Sequence, residues 1–320
     1  MGRLITVSEP LPAEMLSKLK KDVHELGFDV LYETDKKKAE EHLAETEIFF
    51  GILNPKSPIP QNLKWLCLPL AGVNDYSSRT EFLNGSCMLS CSSGAYGVTI
   101  AEHLVMLTLM LLRRMPEYIE DRKERIWRND RELNSIYGSR VTVLGTGDIG
   151  RNYAQRIKPF MPESVTGVSR SGKSECDAFT SIHKVSELDS ILPETDILVM
   201  SLPETPDTIH ILNGERIALL PKNAIIINVG RGSSIDQPAL ANALKEHVIC
   251  GAALDVLEKE PLPESDPLNE APNLIITPHM AGQRTLRRTV EIMFDKFLTD
   301  LHRYAANQLP ENLVNLNRGY

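Results

Sequence analysis

The sequence predicts an α/β protein that contains two parallel sheets, and three observations support this fold class. Short apolar runs alternate with helical patterns along the chain, which is typical of βαβ units. Several of these runs are continuously apolar, as strands buried on both faces should be. A turn with the spacing G-x-G-x-x-G separates a predicted strand from a predicted helix. With 320 residues, the chain is long enough for two domains, each with its own core.

The first third of the chain predicts a small α/β domain. Between its first two strands, residues 11–26 are apolar on one helical face and predict a helix. A long helix is expected over about 100–123, because Thr99 and Glu102 match the capping-box pattern ahead of an apolar run. His103, the next residue, is interpreted as a packed or capping histidine. The predicted strands of this domain are 4–7, 30–32, 48–53, 66–68 and 88–90.

A second α/β domain follows the long helix. Helical segments such as 236–247, with Asp236 as the expected N-cap, separate its strands. One further helix is expected over 285–304. The six predicted strands are 141–144, 165–169, 196–202, 224–229, 251–256 and 274–277.

The glycine turn predicts a dinucleotide-binding site. Gly145 permits the sharp turn, Gly147 permits close approach of a pyrophosphate, and Gly150 permits close packing of the helix on the strand. Asp148 and Ile149 open the helix, whose free N–H groups and dipole favour an anion. Because a carboxylate would repel the negatively charged pyrophosphate, we expect the Asp148 side chain to face solvent.

Composition excludes several classes of protein. The net charge of −8 and the lack of a basic stripe argue against nucleic-acid binding. The five cysteines lack C-x-x-C spacing, which favours free thiols in a reducing compartment and predicts no metal site. The N-terminus has no signal-peptide pattern, and the longest apolar stretch, 104–112, is too short to span a membrane. A cytoplasmic protein is expected.

Charged side chains follow the last strands of the second domain. Arg231 follows one strand, Asp255 and Glu260 follow the next, and His279 follows the last. Ligands bind beyond the carboxyl ends of strands in an open parallel sheet, so these side chains are expected to meet at one edge. Each of them alone has an ordinary alternative interpretation as a surface loop residue. Their placement after consecutive strands favours a shared site.

Six segments carry a series of motifs: Gly145-x-Gly147-x-x-Gly150, Leu202-Pro203-Glu-Thr205-x-x-Thr208, Asn228-Val-Gly-Arg231-Gly, Leu254-Asp255-Val, Glu260-Pro-Leu-Pro and Thr277-Pro-His279. With this series the chain resembles the D-isomer-specific 2-hydroxyacid dehydrogenases over essentially its whole length. The resemblance implies an oxidoreductase that transfers a hydride between a nicotinamide cofactor and a small 2-oxo or D-2-hydroxy acid. Glyoxylate, hydroxypyruvate and analogues with larger side chains are the candidate substrates.

The resemblance also implies two Rossmann-like or flavodoxin-like domains, with the cofactor domain inserted into a discontinuous substrate domain. The expected substrate domain comprises residues 1–101 and 286–320, and the expected NAD(P)-binding domain comprises residues 102–285.

By resemblance, Arg231 holds the substrate, and Glu260 partners His279, which donates or accepts the proton. A guanidinium can bind a substrate carboxylate through two parallel hydrogen bonds. A carboxylate next to a histidine favours the charged form of the imidazole. The substrate-binding candidates are Ala71, Gly72 and Val73, in a loop whose alternative is an ordinary turn, and Tyr96. The remaining cofactor-binding candidates are Leu202, Pro203, Thr208, Val229, Gly230, Asp255 and Gly282.

The second strand of the cofactor domain indicates which nicotinamide cofactor binds. NAD-specific proteins place an acid at its end, about 20 residues past the glycines. Here the strand ends in Ser169, Arg170 and Ser171, with no acid. Arg170 can bond a 2′-phosphate and the serines add hydroxyls, so NADP(H) is favoured and NAD(H) is possible.

Two alternative functions and a dimeric assembly are also considered from the sequence. A phosphoglycerate dehydrogenase is disfavoured, because the chain ends soon after its last helix. A dinucleotide-sensing, corepressor-like binding protein is the alternative outside the enzymes. The long helix is apolar on several faces, which predicts a homodimer, with burial within the monomer by the first domain as the alternative. The resemblance implies that Trp127, in the loop after this helix, reaches the partner's substrate cleft.

Overall fold

A computed structural model describes residues 3–316 of the chain. The chain divides into two compact units, with boundaries between Tyr96 and Gly97 and between Gln283 and Arg284. The first unit is formed by both ends of the chain, and the second by the segment between them. The boundaries expected from the sequence, after residues 101 and 285, lie slightly further along the chain. Residues 1–2 and 317–320 of the expected substrate domain lie outside the described residues.

The first unit contains a parallel five-stranded sheet in the order β2-β1-β3-β4-β5. Its strands are β1 (Arg3–Val7), β2 (Phe28–Tyr32), β3 (Thr46–Phe50), β4 (Trp65–Leu68) and β5 (Met88–Cys91). Its helices are α1 (Ala13–Glu25), α2 (Lys36–Glu41), α3 (Asn74–Ser77), α4 (Thr80–Leu83) and, from the end of the chain, α11 (Arg287–Ala305).

Aromatic side chains join α11 to this sheet. The rings of Phe50 and Phe297 are stacked with centroids 4.1 Å apart. Trp65 lies beside Phe297, is fully buried, and donates its indole N–H to Ser90 Oγ at 2.8 Å. Burial of several aromatic rings with a satisfied indole makes this contact a major part of the core of the unit.

The second unit contains a parallel seven-stranded sheet in the order β12-β11-β10-β9-β6-β7-β8. The prediction of an α/β fold with two parallel sheets is therefore confirmed. Six of the strands correspond to predicted ones, and the edge strand β8 was missed because its sequence, Ser-Ile-His-Lys, has one apolar residue. The strands are β6 (Arg140–Leu144), β7 (Ser164–Ser169), β8 (Ser181–Lys184), β9 (Ile197–Met200), β10 (Ile225–Asn228), β11 (Gly251–Leu254) and β12 (Leu274–Ile276).

The helices of the second unit correct two predictions. The expected long helix is two helices, because Arg114 adopts a left-handed conformation with a φ of 53° and ends the first of them. The first helix also begins at Gly97, so Thr99 and Glu102 lie inside it and the predicted capping box is wrong. Asp236, in contrast, caps its helix by accepting from Ala239 N at 3.0 Å. The helices are α5 (Gly97–Leu112), α6 (Met115–Lys123), α7 (Asp148–Ile157), α8 (Leu188–Ile191), α9 (Gly214–Ala218) and α10 (Gln237–Lys245).

Within the described part of the chain, no helix combines the length and apolar character that crossing a bilayer requires.

Candidate active site

The glycine turn between β6 and α7 has a shape that fits a dinucleotide. Gly145 has a φ of +106°, and a Cβ there would lie 2.9 Å from the Ser201 carbonyl oxygen. A Cβ on Gly150 would lie 2.0 Å from the Gly145 carbonyl oxygen, whereas the space beside Gly147 is open. The turn therefore leaves room for a ligand at its middle glycine, directly before the first N–H groups of α7.

Asp148 corrects the expectation that its side chain faces solvent. The carboxylate is partly buried, and Oδ2 accepts from Gly97 N at 2.8 Å. Oδ1 lies 3.1 Å from Asn152 Nδ2. Asp148 therefore caps α5, and a side chain at Gly97 would collide with it, since a Cβ there would lie 2.4 Å from Oδ2. The adjacent Ile149 is partly exposed in the first turn of α7.

The end of β7 is a short turn with an exposed arginine. Ser169 Oγ donates to the Lys173 carbonyl oxygen at 3.5 Å, and Gly172, with a φ of +65°, donates from its N–H to the Ser169 carbonyl oxygen at 3.3 Å. Arg170 and Ser171 are exposed in this turn. No acid stands at the end of the strand, so the turn presents a positive charge and hydroxyls.

The loops after β9 and β10 approach each other closely. A Cβ on Gly230 would lie 2.6 Å from the carbonyl oxygen of Leu202, so the two loops touch through their backbones. Thr208 Oγ1 donates to the Pro203 carbonyl oxygen at 2.8 Å and closes the first loop. Val229 is buried and continues the sheet by donating to the Met200 carbonyl oxygen at 3.0 Å.

Arg231 lies on a rigid loop. Its carbonyl oxygen accepts from Ser234 Oγ at 2.7 Å and from Asn228 Nδ2 at 2.9 Å. The buried Asn228 also accepts from Gly230 N at 3.0 Å through Oδ1. One nitrogen of the Arg231 guanidinium donates to the Gly230 carbonyl oxygen at 2.8 Å. The side chain is partly exposed, so a guanidinium is available at the carboxyl end of β10.

His279 and Glu260 are in direct contact, as the sequence predicts. His279 Nδ1 lies 2.9 Å from Glu260 Oε2, and Glu260 Oε1 accepts from Leu257 N at 3.0 Å. Because Nδ1 is engaged by the carboxylate, Nε2 is the ring nitrogen left for a proton transfer. The Arg231 loop borders this pair, since a Cβ on Gly232 would lie 1.9 Å from the Leu257 carbonyl carbon.

Asp255 organises the loop that carries His279. Its carboxylate is 3% exposed and accepts from Thr277 Oγ1 at 2.6 Å, Met280 N at 2.9 Å and Ala281 N at 3.0 Å. Its carbonyl oxygen accepts from His279 N at 2.9 Å. His279 has a φ of 50°, an uncommon conformation for a non-glycine residue, which these bonds maintain. Asp255, predicted as a cofactor-binding residue, directs its carboxylate to these loop donors, and Gly282 follows that loop.

Two residues of this cluster carry a role that the sequence did not predict. Thr277 donates to Asp255, and His103 on α5 lies with Nε2 3.3 Å from Thr277 Oγ1 and 4.0 Å from Asp255 Oδ1. Burial lowers the pKa of His103, and the charge of Asp255 opposes that shift. His103 is packed, as expected. Its contacts with Thr277 and Asp255 could not be predicted, because these residues are distant from it in the sequence.

The predicted substrate loop of the first unit follows β4. Tyr96 is buried, and its hydroxyl donates to the Pro69 carbonyl oxygen at 2.7 Å, so this hydrogen bond fixes the start of the loop. Val73 is also buried. Ala71 is exposed and Gly72 partly exposed between these anchors. Neither residue has a polar side chain, so the polar groups that this part of the loop offers to a ligand are those of the backbone.

Comparison with known proteins identifies the family. The sequence profile described as "D-isomer specific 2-hydroxyacid dehydrogenase, NAD binding domain" matches residues 105–281, which is more than half of the chain. The chain belongs to the D-isomer specific 2-hydroxyacid dehydrogenase family. The glyoxylate/hydroxypyruvate reductase B of Pectobacterium atrosepticum is 33% identical over 68% of this chain and 68% of its own length.

Two solved structures of the family share the whole fold. A D-isomer specific 2-hydroxyacid dehydrogenase from Xanthobacter autotrophicus Py2, in complex with NADPH and MES, is 29% identical with a TM-score of 0.81, covering 100% of this chain and 99% of that one. An NADPH-dependent glyoxylate/hydroxypyruvate reductase from Sinorhizobium meliloti, in complex with NADP and sulfate, is 26% identical with a TM-score of 0.80, covering 99% and 100%.

Family membership confirms two predictions. The protein is an oxidoreductase of the 2-hydroxyacid dehydrogenase class, and it is an enzyme that depends on NAD(P). The residue roles, the substrate and the assembly are the subject of the proposals below.

Proposed function

We propose that this enzyme reduces a small 2-oxo acid, such as glyoxylate or hydroxypyruvate, to the D-2-hydroxy acid. The observation that carries the proposal is the 2.9 Å contact between His279 Nδ1 and Glu260 Oε2, beside the loop of Arg231. A cation for the carboxylate and a proton donor for the carbonyl are the two groups that this reduction requires from the protein. The names of the relatives support a short substrate side chain.

Arg231 binds the substrate in this proposal. Its guanidinium offers N–H groups in a planar fork that matches a carboxylate and also polarises the adjacent carbonyl. Its loop is held by Asn228 and Ser234, so little conformational entropy is lost on binding. When bound, the nicotinamide supplies the hydride.

His279 handles the proton. In the reductive direction the imidazolium Nε2 donates a proton to the substrate oxygen, and in the oxidative direction the neutral ring accepts it. Glu260 orients the ring through Nδ1 and stabilises the imidazolium. General acid–base catalysis of this kind contributes about 10²- to 10⁴-fold in rate.

The cofactor is proposed to be NADP(H) by preference, with NAD(H) also accepted. The glycine turn from Gly145 to Gly150 would hold the pyrophosphate, and Arg170 with Ser169 and Ser171 would bind the 2′-phosphate. The exposed guanidinium at the end of β7 supports this preference. Leu202, Pro203, Thr208, Val229, Gly230 and Gly282 border the same sheet edge and complete the proposed cofactor site.

The first unit is proposed as the substrate domain and the second as the cofactor domain. The N–H groups of Ala71, Gly72 and Val73 would bind the substrate carboxylate, and the two anchors of their loop support that role. Tyr96 then acts by fixing the loop, because its hydroxyl is already engaged by Pro69.

Turnover tests the proposed function. Purified protein is mixed with NADPH or NADH and a panel of glyoxylate, hydroxypyruvate, pyruvate and 3-phosphohydroxypyruvate, and absorbance of the reduced nicotinamide is followed. Rapid oxidation with glyoxylate or hydroxypyruvate is the expected result. Exclusive use of 3-phosphohydroxypyruvate would favour a phosphoglycerate dehydrogenase instead. Tight dinucleotide binding without turnover of any acid would favour the dinucleotide-sensing alternative.

We also propose a homodimer, because several large apolar side chains on α5, on α6 and in the loop after α6 are exposed. The loop after α6 is held by the Asp121 carboxylate, which binds Arg128 and Arg131, and by a bond of 2.8 Å from Ile126 N to the Asp121 carbonyl oxygen. Trp127 is nevertheless 95% exposed in this constrained loop. The apolar dimer surface is defined by the exposed side chains Met106, Met115, Ile119, Ile126, Trp127 and Leu133.

An apolar patch of this kind on a soluble protein marks an interaction surface. In the proposed dimer, Trp127 would enter the partner's substrate site. Sedimentation at micromolar protein is expected to give a dimer mass, and Ile119→Glu is expected to give a monomer. Trp127→Ala is expected to raise KM for the 2-oxo acid. A monomeric wild-type protein would overturn the dimer.

A cytoplasmic location is proposed on the basis of the cysteines. All five are free thiols, as expected in a reducing compartment. Reaction with a thiol reagent after denaturation of protein purified from cells should count five thiols.

A further inference from the structure

A second histidine–glutamate pair lies on the loops that surround Arg231. His210 Nε2 is 2.9 Å from Glu258 Oε1, and the two side chains are 48% and 31% exposed. Glu258 stands two residues before Glu260 on the loop after β11, so one loop supplies the carboxylates for two histidines. The proposed mechanism uses His279 and leaves His210 without a task.

His210 connects the loop after β9 to the Arg231 loop. Its backbone N–H donates to the Ser233 carbonyl oxygen at 2.8 Å, with a φ of 47°. Ser233 Oγ in turn donates to Glu204 Oε2 at 2.6 Å. The uncommon conformation of His210 is thus maintained by bonds to the segment two residues after Arg231.

Glu258 connects the loop after β11 to the same region. Its backbone N–H donates to Gln237 Oε1 at 3.1 Å, and its Oε1 accepts from Gln237 N at 3.2 Å. Gln237 is buried and begins α10, the helix that follows the Arg231 loop. The His210–Glu258 contact therefore joins the loops that lie on either side of Arg231.

We propose that the His210–Glu258 pair positions Arg231 for the substrate carboxylate. The hydrogen bonds of this pair connect the three loops that follow the adjacent strands β9, β10 and β11. Gly232 lies in close contact with the backbone of Leu257. The pair does not touch the reacting atoms; both are positioning residues. This inference rests on the proposed role of Arg231. A misplacement of about 1 Å at a binding group costs up to about 100-fold in rate.

The first test separates positioning from general loosening. His210→Ala is expected to lower kcat/KM for glyoxylate about 10-fold, mainly through a higher KM, with KM for NADPH within about 2-fold of wild type, since Arg231 binds the substrate carboxylate and also polarises its carbonyl. Binding of oxalate, a non-reacting dicarboxylate, to the NADP complex should weaken by the same factor. His210→Gln, which keeps an N–H donor for Glu258, should recover most of the loss.

A matched control exists in the same sheet. His183 Nδ1 lies 3.1 Å from Glu187 Oε1 with similar exposure, but on β8, four strands from β10. His183→Ala removes an equivalent pair and is expected to leave KM for glyoxylate unchanged. Equal effects of the two alanine variants would overturn the proposal.

A double-mutant cycle distinguishes failure of this inference from failure of the proposed function. If Arg231→Ala does not weaken oxalate binding, the role of Arg231 itself is wrong. If Arg231→Ala does so but His210→Ala and Glu258→Gln do not, the positioning role is wrong. If positioning is correct, His210→Ala adds no further weakening in the Arg231→Ala protein. Should His210→Ala fail to fold, Glu258→Gln and His210→Gln provide the same comparison.

Discussion

The carboxyl edges of the two sheets offer different chemistry. The edge of the seven-stranded sheet carries Arg231, Glu260 and His279 on loops that directly follow β10, β11 and β12. The edge of the five-stranded sheet offers the backbone at Ala71 and Gly72, held by the buried Tyr96. In the proposed mechanism, the second unit therefore supplies the cation and the proton donor, whereas the first supplies backbone groups.

The largest expected effect comes from the proton donor on the seven-stranded sheet. His279→Ala should lower kcat by about 10²- to 10⁴-fold, because no other group replaces the imidazolium. Glu260→Gln keeps an acceptor for Nδ1 without its charge and should cause a smaller loss. Steady-state kinetics measure both, with NADPH binding by fluorescence expected to be unchanged. His24→Ala, an exposed histidine of α1, is the control. Near-normal turnover of His279→Ala would place the chemistry elsewhere.

Cofactor selection is the next largest effect at the same edge. Arg170→Asp should lower kcat/KM for NADPH about 10- to 100-fold and affect NADH little, since a charge-assisted bond to the 2′-phosphate becomes a repulsion. Lys222→Asp makes the same charge change before β10, at the opposite edge of the sheet, and should leave the preference unaltered. A wild-type preference for NADH of tenfold or more would show that Arg170 has no part in selection.

A smaller effect is expected at the five-stranded sheet. Tyr96→Phe removes the donor to the Pro69 carbonyl oxygen and should lower the free energy of unfolding by about 1–3 kcal/mol. Because the loop is also less constrained, KM for the 2-oxo acid should rise while kcat stays close to wild type. Urea unfolding and steady-state kinetics check the two results. Tyr32→Phe provides a matched control, since Tyr32 also binds backbone, at Leu11 N. A fall in kcat alone would assign Tyr96 to chemistry rather than to the loop.

The smallest effect concerns a buried acid beyond β1. Glu9 is ion-paired with Arg284, yet burial raises the pKa of its carboxyl, with the guanidinium opposing that shift. A carboxyl whose pKa is raised on folding contributes stability at low pH that is lost as the pH rises through that pKa. The wild type should therefore gain stability relative to Glu9→Gln as the pH falls from neutral towards the ordinary range of glutamate.

Urea unfolding of both proteins at several pH values measures the difference, and Glu14→Gln, an exposed acid of α1, serves as the control. A difference that stays constant with pH would contradict the role of burial. A difference that moves in the opposite direction would show that the Arg284 charge dominates.

Much of the fold was predictable because its signals are local. Apolar runs marked the buried strands, and the glycine spacing located the turn before α7. The same approach failed where the deciding contact comes from a distant part of the chain. Gly97 begins α5, where Asp148 at the start of α7 accepts its N–H, and the nearer capping box was misleading. The edge strand β8 has too little apolar sequence to be recognised.

The candidate site was predictable as a set of residue types but not as a set of contacts. The sequence placed Glu260 and His279 after neighbouring strands, and they meet. It could not show that the Asp255 carboxylate is occupied by Thr277 and backbone donors, or that His210 faces Glu258. Those contacts depend on the conformations of long loops, which the spacing of residues in the sequence does not specify.

By itself, the sequence determined the α/β class, the strand ends that carry charge and the glycine turn, because each follows from backbone preference or from patterns within a few residues. Only the tertiary structure decided which donors occupy each carboxylate. Asp148 caps α5, Asp255 holds the His279 loop and Glu258 binds His210, across separations from 22 to 51 residues. Asp148 and Asp255 are bound where folding brings backbone N–H groups of buried segments within reach, since leaving buried donors unpaired is costly. Glu258 is bound instead through the partly exposed imidazole of His210.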